Sequence, residues 1–352
     1  MACACRFADM DGISVIICAH DSAERIRPTI EALACCRANF PVEIIVVDNN
    51  SSDETAGRAR EAWNACGNDR FGFLIVEEPQ AGLAYARRAG VRAASFGIVL
   101  FCDDDNWLAE DYLMHAMRIM RDPSVGAAGG CSTPAHPELL PPWFYTFSWG
   151  FAVGVPLSRI AQLPDDPEAA TTVDALWGAG LVTRRDVVKY LYALPGFPAL
   201  SGRKGAELLS GEDLELSACL LGAGYKLLFC ESLRFKHDIA PKRLTTAYAK
   251  RLFANFERGF VVHGHYTKVI EAFENPSRAA IIGCARIVKH ILLGRLNRES
   301  LLSLLAALRL PHLLTSDQRR IYGTVQSLRS RMSHSRQVST QALQDVGSES
   351  PA

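Results

Sequence analysis

The sequence has no charge excess of either sign, no long apolar run and no ordered cysteine framework. Its 38 Lys and Arg balance 38 Asp and Glu, so a broad basic footprint for nucleic acid finds no support. The apolar stretches, such as Phe96 to Cys102, fall far short of the roughly 20 residues of a membrane-spanning helix. Met1 to Met10 lacks the basic start and following apolar stretch of a secretory signal, so none is expected. The 11 cysteines form no C-x-x-C pair, and several, Cys18 and Cys102 among them, lie inside apolar runs as small hydrophobes. A reducing, cytoplasmic setting without structural zinc is the expectation. A P-loop and a G-x-G-x-x-G fingerprint are also missing.

What is present is an ordinary globular composition, 49 % apolar and 22 % charged over 352 residues, enough for two units or one large α/β domain. Short apolar runs at Ile13–Cys18, Val42–Val47, Phe71–Val76, Gly97–Cys102 and Val125–Ala128 read as buried strands. Helical stretches separate them: one ending near Cys36, one near Cys66, then Gly82–Ala94 and Glu110–Met120. This alternation predicts βαβ units and a mostly parallel sheet, with ligands at the carboxyl ends of the strands. Further on, the pattern predicts a strand over Val173–Val182 and a helix over Arg185–Leu194. A helix over Glu212–Leu221, a strand over Tyr225–Cys230 and a helix over Leu244–Phe256 follow. Ala279–Leu314 reads as helical, and from about Ser327 the chain reads as a disordered tail.

Polar clusters follow the strands. Asp103-Asp104-Asp105 closes one of them; adjacent carboxylates repel, and a divalent cation with oxygen ligands relieves that. A solvated loop capping the next helix fits the same residues. Asp48 ends the second strand and reads either as a turn residue or as an acceptor for a base or ribose. Arg87 and Arg88 lie on a helix; a cation there would offset diphosphate charge, while for at least one of the two a solvated helix face is the expectation. Glu212 and Asp213 open a helix, where acids complement the dipole; one of them would serve as a general base, ionised at neutral pH. His237 stands beyond a strand and gains interest only from the incomplete ligand set of Asp103 and Asp105.

In this order the pieces resemble the inverting family 2 glycosyltransferases of the GT-A fold. Ile13-Ser-Val-Ile-Ile-Cys-Ala-His-Asp21 is similar to the family's first strand and base-binding loop, with Cys-Ala-His-Asp where Pro-Thr-Tyr-Asn is usual. Ile45-Val-Val-Asp-Asn-Asn-Ser-Ser-Asp-Glu-Thr55 resembles its second strand. Gly82-Leu-Ala-Tyr-Ala-Arg-Arg-Ala-Gly90 resembles its Gly-x-x-x-Ala-Arg-Asn helix. Phe101-Cys-Asp-Asp-Asp105 looks like its Asp-x-Asp strand, Trp177-Gly-Ala-Gly180 its acceptor segment and Gly211-Glu-Asp-Leu-Glu-Leu216 its base motif. His237 to Thr245 is similar to a run that follows in many members.

The resemblance implies sugar transfer from a nucleotide-diphosphate donor to an acceptor hydroxyl, in polysaccharide, glycolipid or other glycoconjugate synthesis. It implies Ala19, His20, Asp21, Asp48, Arg87 and Asp104 on the nucleotide sugar, and Asp103, Asp105 and His237 on Mg²⁺ or Mn²⁺. Asp213 would be the base and Glu212 its orienting neighbour, with Trp143–Phe151 covering a carbohydrate or lipid-linked acceptor. The expected division is an extension over 1–12 and a GT-A domain over 13–260. Within that domain, 13–130 would be the nucleotide half and 131–260 the acceptor half. A helical extension over 261–326 and a tail over 327–352 would follow. The stretch 279–314 reads as a helical hairpin or as a peripheral contact with a membrane on its cytoplasmic face. A sugar-phosphate nucleotidyltransferase and a non-catalytic GT-A-like binding protein are the alternatives; the first usually carries a Gly-rich basic loop that Ile13–Asp21 lacks.

Overall fold

The computed structural model describes residues 12–155, 169–198, 211–292 and 298–347. In chain order the elements begin β1 (Ile13–Ala19), α1 (Ile26–Ala34), β2 (Val42–Asp48), α2 (Thr55–Cys66), β3 (Gly72–Glu77) and α3 (Leu83–Ala93). Next come β4 (Ile98–Asp103), β5 (Asn106–Leu108), α4 (Tyr112–Met120), β6 (Val125–Gly129), β7 (Ser132–Pro134) and the single turn α5 (Phe144–Phe147). The second half contains β8 (Ala170–Thr172), β9 (Leu181–Arg184), α6 (Arg185–Ala193), α7 (Glu212–Gly222), β10 (Lys226–Cys230) and β11 (Phe235–His237). Four helices follow: α8 (Thr246–Glu274), α9 (Pro276–Leu292), α10 (Arg298–Ala307) and α11 (Ser316–Gly347).

Eight strands form one sheet in the order β3-β2-β1-β4-β9-β6-β10-β8, and β5-β11-β7 form a small second sheet. β3, β2, β1 and β4 run parallel. β9 enters antiparallel between β4 and β6, and β8 closes the edge antiparallel to β10. The central strands are continuous apolar runs because both faces are covered. Ile16, Ile45, Val47, Val99 and Phe101 pack with residues of α3, α6, α7 and α8. Their neighbours Val15, Ile17, Ile44, Val46, Leu100 and Cys102 pack on the opposite face with α1, α2 and α4. Strand alternation thus assigns each residue to one of two cores.

Register decides where the loops emerge. Ala19 pairs with Asp48, and Cys18 with Asp103. β1, β2 and β4 therefore end at one level, and the loops after them share one rim.

Two expectations are corrected. The run from Val173 to Val182 is not one strand: β9 begins only at Leu181, because Gly180 adopts φ +68 and turns the chain. The tail expected from residue 327 is helical as far as Gly347. Ile321, Val325 and Leu328, spaced along one helical face, are at most 1 % exposed and belong to the core shared with α7 and α8. The Ser-, Gln- and Arg-rich composition hid this seam. The division expected at residue 260 falls inside α8. The expected extension over 1–12 lies, but for Gly12, outside the described residues.

Gly90 on α3 is a close-approach position: a Cβ there would sit 2.3 Å from Cγ2 of Ile16 and 3.2 Å from Cγ2 of Val47. Gly90→Ala gains about 1 kcal/mol of helix propensity, but overpacking a filled core costs roughly 1–3 kcal/mol. A net loss of stability in denaturant titration is expected; an unchanged or raised midpoint would contradict this packing.

Candidate active site

At the carboxyl rim lies a cavity of about 680 Å³. Ala19, His20 and Asp21 line it from β1, Asp103, Asp104 and Asp105 from β4, and Arg87 from α3. Glu212 and Asp213 enter from α7, and His237 from β11. Nine candidates quoted from separate segments, plus Ala19, therefore meet. Asp48 does not line the cavity. Its Oδ1 accepts from the Ser51 backbone N–H at 3.2 Å, a turn-capping role, and its neighbour Asn49 takes the lining position. Asn49 is fully engaged: Oδ1 accepts from the Gly82 N–H at 2.7 Å, and Nδ2 donates to the carbonyls of Glu78 and Gln80. It ties the β2 loop to the turn before α3, whose N-terminus opens on the cavity at Gly82 and Leu83.

The three adjacent aspartates separate. Asp104, buried, accepts from Arg25 at 2.8 Å and from the Ser22 hydroxyl. Burial, aided by the Asp105 charge, raises its carboxyl above the ordinary range despite Arg25 and Ser22. Asp105 turns the other way, with Oδ2 3.5 Å from His237 Nε2 and 3.3 Å from Arg243. Burial works against its charge, but His237, Arg243 and Arg25 outweigh burial and hold it well below the ordinary range. Asp103, at the end of the strand, stays half-buried at the cavity wall. Among the described residues, no three His, Cys, Asp or Glu side chains form a cluster able to hold a metal by themselves. The expected trio of Asp103, Asp105 and His237 is corrected in that respect: β4 ends at Asp103, and Asp105, in the turn that follows, is directed to His237 and Arg243.

The residues nevertheless fit a hard divalent cation completed by phosphate oxygens. A carboxylate and an imidazole face each other across 3.5 Å, and His237, 3 % exposed, leaves Nδ1 without a partner. Such ions take one or two protein ligands and fill the rest from substrate.

Opposite the aspartates, Arg87 lies over the Phe101 ring at 5.0 Å and 3.5 Å from Glu212 Oε1. The Tyr192 hydroxyl donates to the same oxygen at 2.6 Å. Burial works against the Arg87 charge, but Glu212 outweighs it and keeps the guanidinium charged. Arg87 is thus less an open phosphate clamp than one half of a buried pair at the cavity floor. Gly178 is required beside it, since a Cβ there would lie 2.4 Å from an Arg87 nitrogen.

Among the described residues Asp213 is held by backbone groups: Oδ2 accepts from the Gly178 N–H at 3.2 Å, and Oδ1 from Leu214 at 2.9 Å. Burial raises its carboxyl above the usual aspartate range, although Arg87 and these N–H groups pull the other way.

His20 Nδ1 lies 2.9 Å from the Asn49 carbonyl, so its ring is set against the rim. Asp21, at φ +47, accepts from Ser52 N–H and hydroxyl, and the Ser52 N–H in particular lowers its carboxyl despite slight desolvation. Of the expected aromatic cover, Trp149 to Phe151 line the cavity, whereas Phe144 is buried in a satellite core with Tyr248 and Leu252. Arg25 had no sequence signal, whereas Asn49 and Arg243 lie within Ile45–Thr55 and His237–Thr245, stretches the sequence pattern picks out without naming either residue.

Glu212→Gln should cost about 3–5 kcal/mol of stability, because Arg87 is left buried without its counter-charge. Asp213→Asn should cost less, about 1–2 kcal/mol, since its amide oxygen still accepts from one backbone N–H while its amide nitrogen faces the other. Equal losses in urea unfolding would refute the distinction.

The family profile described as Glycosyl transferase family 2 matches residues 14–190. Glycosyltransferase AglE of Haloferax volcanii is 24 % identical over 234 residues, 65 % of this chain and 67 % of that protein. An N-acetylglucosaminyltransferase of Rhizobium sp. is 29 % identical over 122 residues, 35 % of this chain and 27 % of its own length. In structure, GalNAc-T7 with UDP, GalNAc and Mn²⁺ superposes with a TM-score of 0.52 at 17 % identity. That match covers 77 % of this chain but about half, 52 %, of the other. At this identity the likeness shows the fold, which is GT-A. With the profile spanning half the sequence and the rim built as its strands require, this chain belongs to glycosyl transferase family 2.

Proposed function

We propose that the chain transfers a glycosyl group from a nucleotide-diphosphate sugar to an acceptor hydroxyl, with inversion and with a divalent cation. The observation that carries the reading is the meeting of Asp105, His237, Arg87 and Asp213 around one cavity. Mn²⁺ and UDP bound in GalNAc-T7 support the donor class.

In this reading His20 stacks on or bonds to the base, and Asp21 holds the loop that carries it. Asp103 faces the ribose or the first phosphate. Asp104, fixed by Arg25, keeps the loop after β4 in place. The N–H groups opening α3 present positive potential to the diphosphate. Asp105 and His237 would hold Mg²⁺ or Mn²⁺, which supplies Lewis-acid neutralisation of the leaving diphosphate.

Asp213 takes the proton of the acceptor hydroxyl as its oxygen bonds to the anomeric carbon. The bond from that carbon to the diphosphate oxygen breaks, and the diphosphate leaves with the electron pair. Attack opposite the leaving group inverts the centre. The raised Asp213 carboxyl suits this role, because a base nearer the working pH transfers protons more effectively. Glu212, paired to Arg87, sets the floor against which Asp213 is positioned.

A release assay for nucleoside diphosphate, run over a panel of donors and acceptors, tests the reading. Asp213→Asn should lower transfer on the order of 10²–10⁴-fold in a protein that still folds cooperatively. The acidic limb of the wild-type rate profile should lie above the ordinary aspartate range, because Asp213 must be ionised and its folded value is raised. Turnover that persists in Asp213→Asn would remove this residue as base, and an inert wild type across the panel would favour a binding protein.

Chelation gives a separate check. EDTA should abolish turnover and Mn²⁺ or Mg²⁺ restore it, whereas His237→Ala should need more metal for half-maximal rate. Full activity in EDTA would exclude the cation.

A further inference from the structure

Beyond the acidic half, the cavity has a second wall of different chemistry. Lys242, in the turn before α8, and Arg251, on α8, both line it and are exposed. Among the described residues no carboxylate pairs with either; Arg251 has only the Tyr248 ring, 6.0 Å away. Beside them Trp149 stacks on Phe256 with centroids 5.4 Å apart, and Phe256 meets Phe260 at 6.3 Å. All three rings line the cavity, and the row leads outward: Phe260 is 51 % exposed and the adjoining Val261 50 %.

Unpaired cations beside an aromatic row that runs from a cavity to the surface match one kind of molecule. A neutral sugar needs rings and hydrogen-bond partners but no free cations. A free phosphate needs the cations but gives the exposed Phe260 and Val261 nothing to cover. An amphiphile with an anionic head uses both. We propose that the acceptor of this enzyme is a phosphorylated amphiphile. Its phosphate lies against Lys242 and Arg251, and its apolar chain follows Trp149, Phe256 and Phe260 toward solvent. No described helix is long and apolar enough to cross a membrane. This proposal rests on the glycosyltransferase reading for the word acceptor; the binding it describes does not depend on turnover.

Binding to the full-length protein is measured by tryptophan fluorescence and calorimetry with farnesyl monophosphate below its critical micelle concentration. Farnesol and inorganic phosphate serve as the two half-molecules, and UDP as the donor-side control. Farnesyl monophosphate should bind at least about tenfold more tightly than either half. Lys242→Gln and Arg251→Gln should each weaken it on the order of tenfold and leave UDP affinity unchanged. Phe260→Ser, at an exposed position, should weaken farnesyl monophosphate and leave UDP affinity unchanged.

Equal binding of farnesol and its phosphate would overturn the role of the cations. Equal binding of inorganic phosphate would overturn the apolar track. Loss of UDP affinity in Lys242→Gln and Arg251→Gln would reassign these cations to the donor. Because these are binding measurements, failure here leaves the diphosphate-release assay untouched, and failure of that assay leaves the binding result standing.

Discussion

Three consecutive carboxylates at the end of a buried strand cannot share one environment, and the site is arranged around that repulsion. Asp104 is drawn down to Arg25 and Ser22, Asp105 across to His237 and Arg243, and Asp103 remains at the cavity wall. The partners of Asp104 and those of Asp105 come from different segments. The loop after β4 is thereby tied both to the entry of α1 and to the turn before α8. A charge cluster that would otherwise destabilise the rim becomes the junction of the two halves of the fold.

The opposite wall solves a similar problem with one ion pair. Arg87 and Glu212 are both nearly inaccessible, and Tyr192 supplies a further bond to Glu212. Such a pair adds little net stability but is costly to break. Its value lies in placing a fixed floor beside Asp213. Asp213, which among the described residues has backbone donors, has its carboxyl raised by burial. Neighbouring acids on one helix turn thus acquire distinct chemistry from distinct surroundings.

The sheet was legible in the sequence because parallel strands buried on both faces are short, continuous apolar runs closed by polar loops. Ile13–Cys18, Val42–Val47 and Gly97–Cys102 each lie within a residue or so of the observed strand. The convergence of Asp21 and Asp103 followed from the rule that such loops meet at one edge, whereas Asp213 and His237 were legible only through the family resemblance. Less legible were contacts that depend on register and three-dimensional reach. Asn49 rather than Asp48 lines the cavity because one strand residue decides which side a side chain takes. Arg25 belongs to the site through a long side chain that carries no local pattern, and Arg243, though inside the run His237–Thr245, through reach that the pattern does not express. The seam of α11 was hidden by a polar composition spread over its other faces.

The account as a whole predicts that a diphosphate and a divalent cation are gripped between the loop after β4 and the turn after β11. Diffraction from crystals soaked with Mn²⁺ and UDP, read through the manganese anomalous signal, tests this most directly. The account predicts a single strong peak in contact with Asp105, His237 and the diphosphate. A peak distant from Asp105, or a diphosphate bound away from the rim where β1, β2 and β4 end, would contradict it.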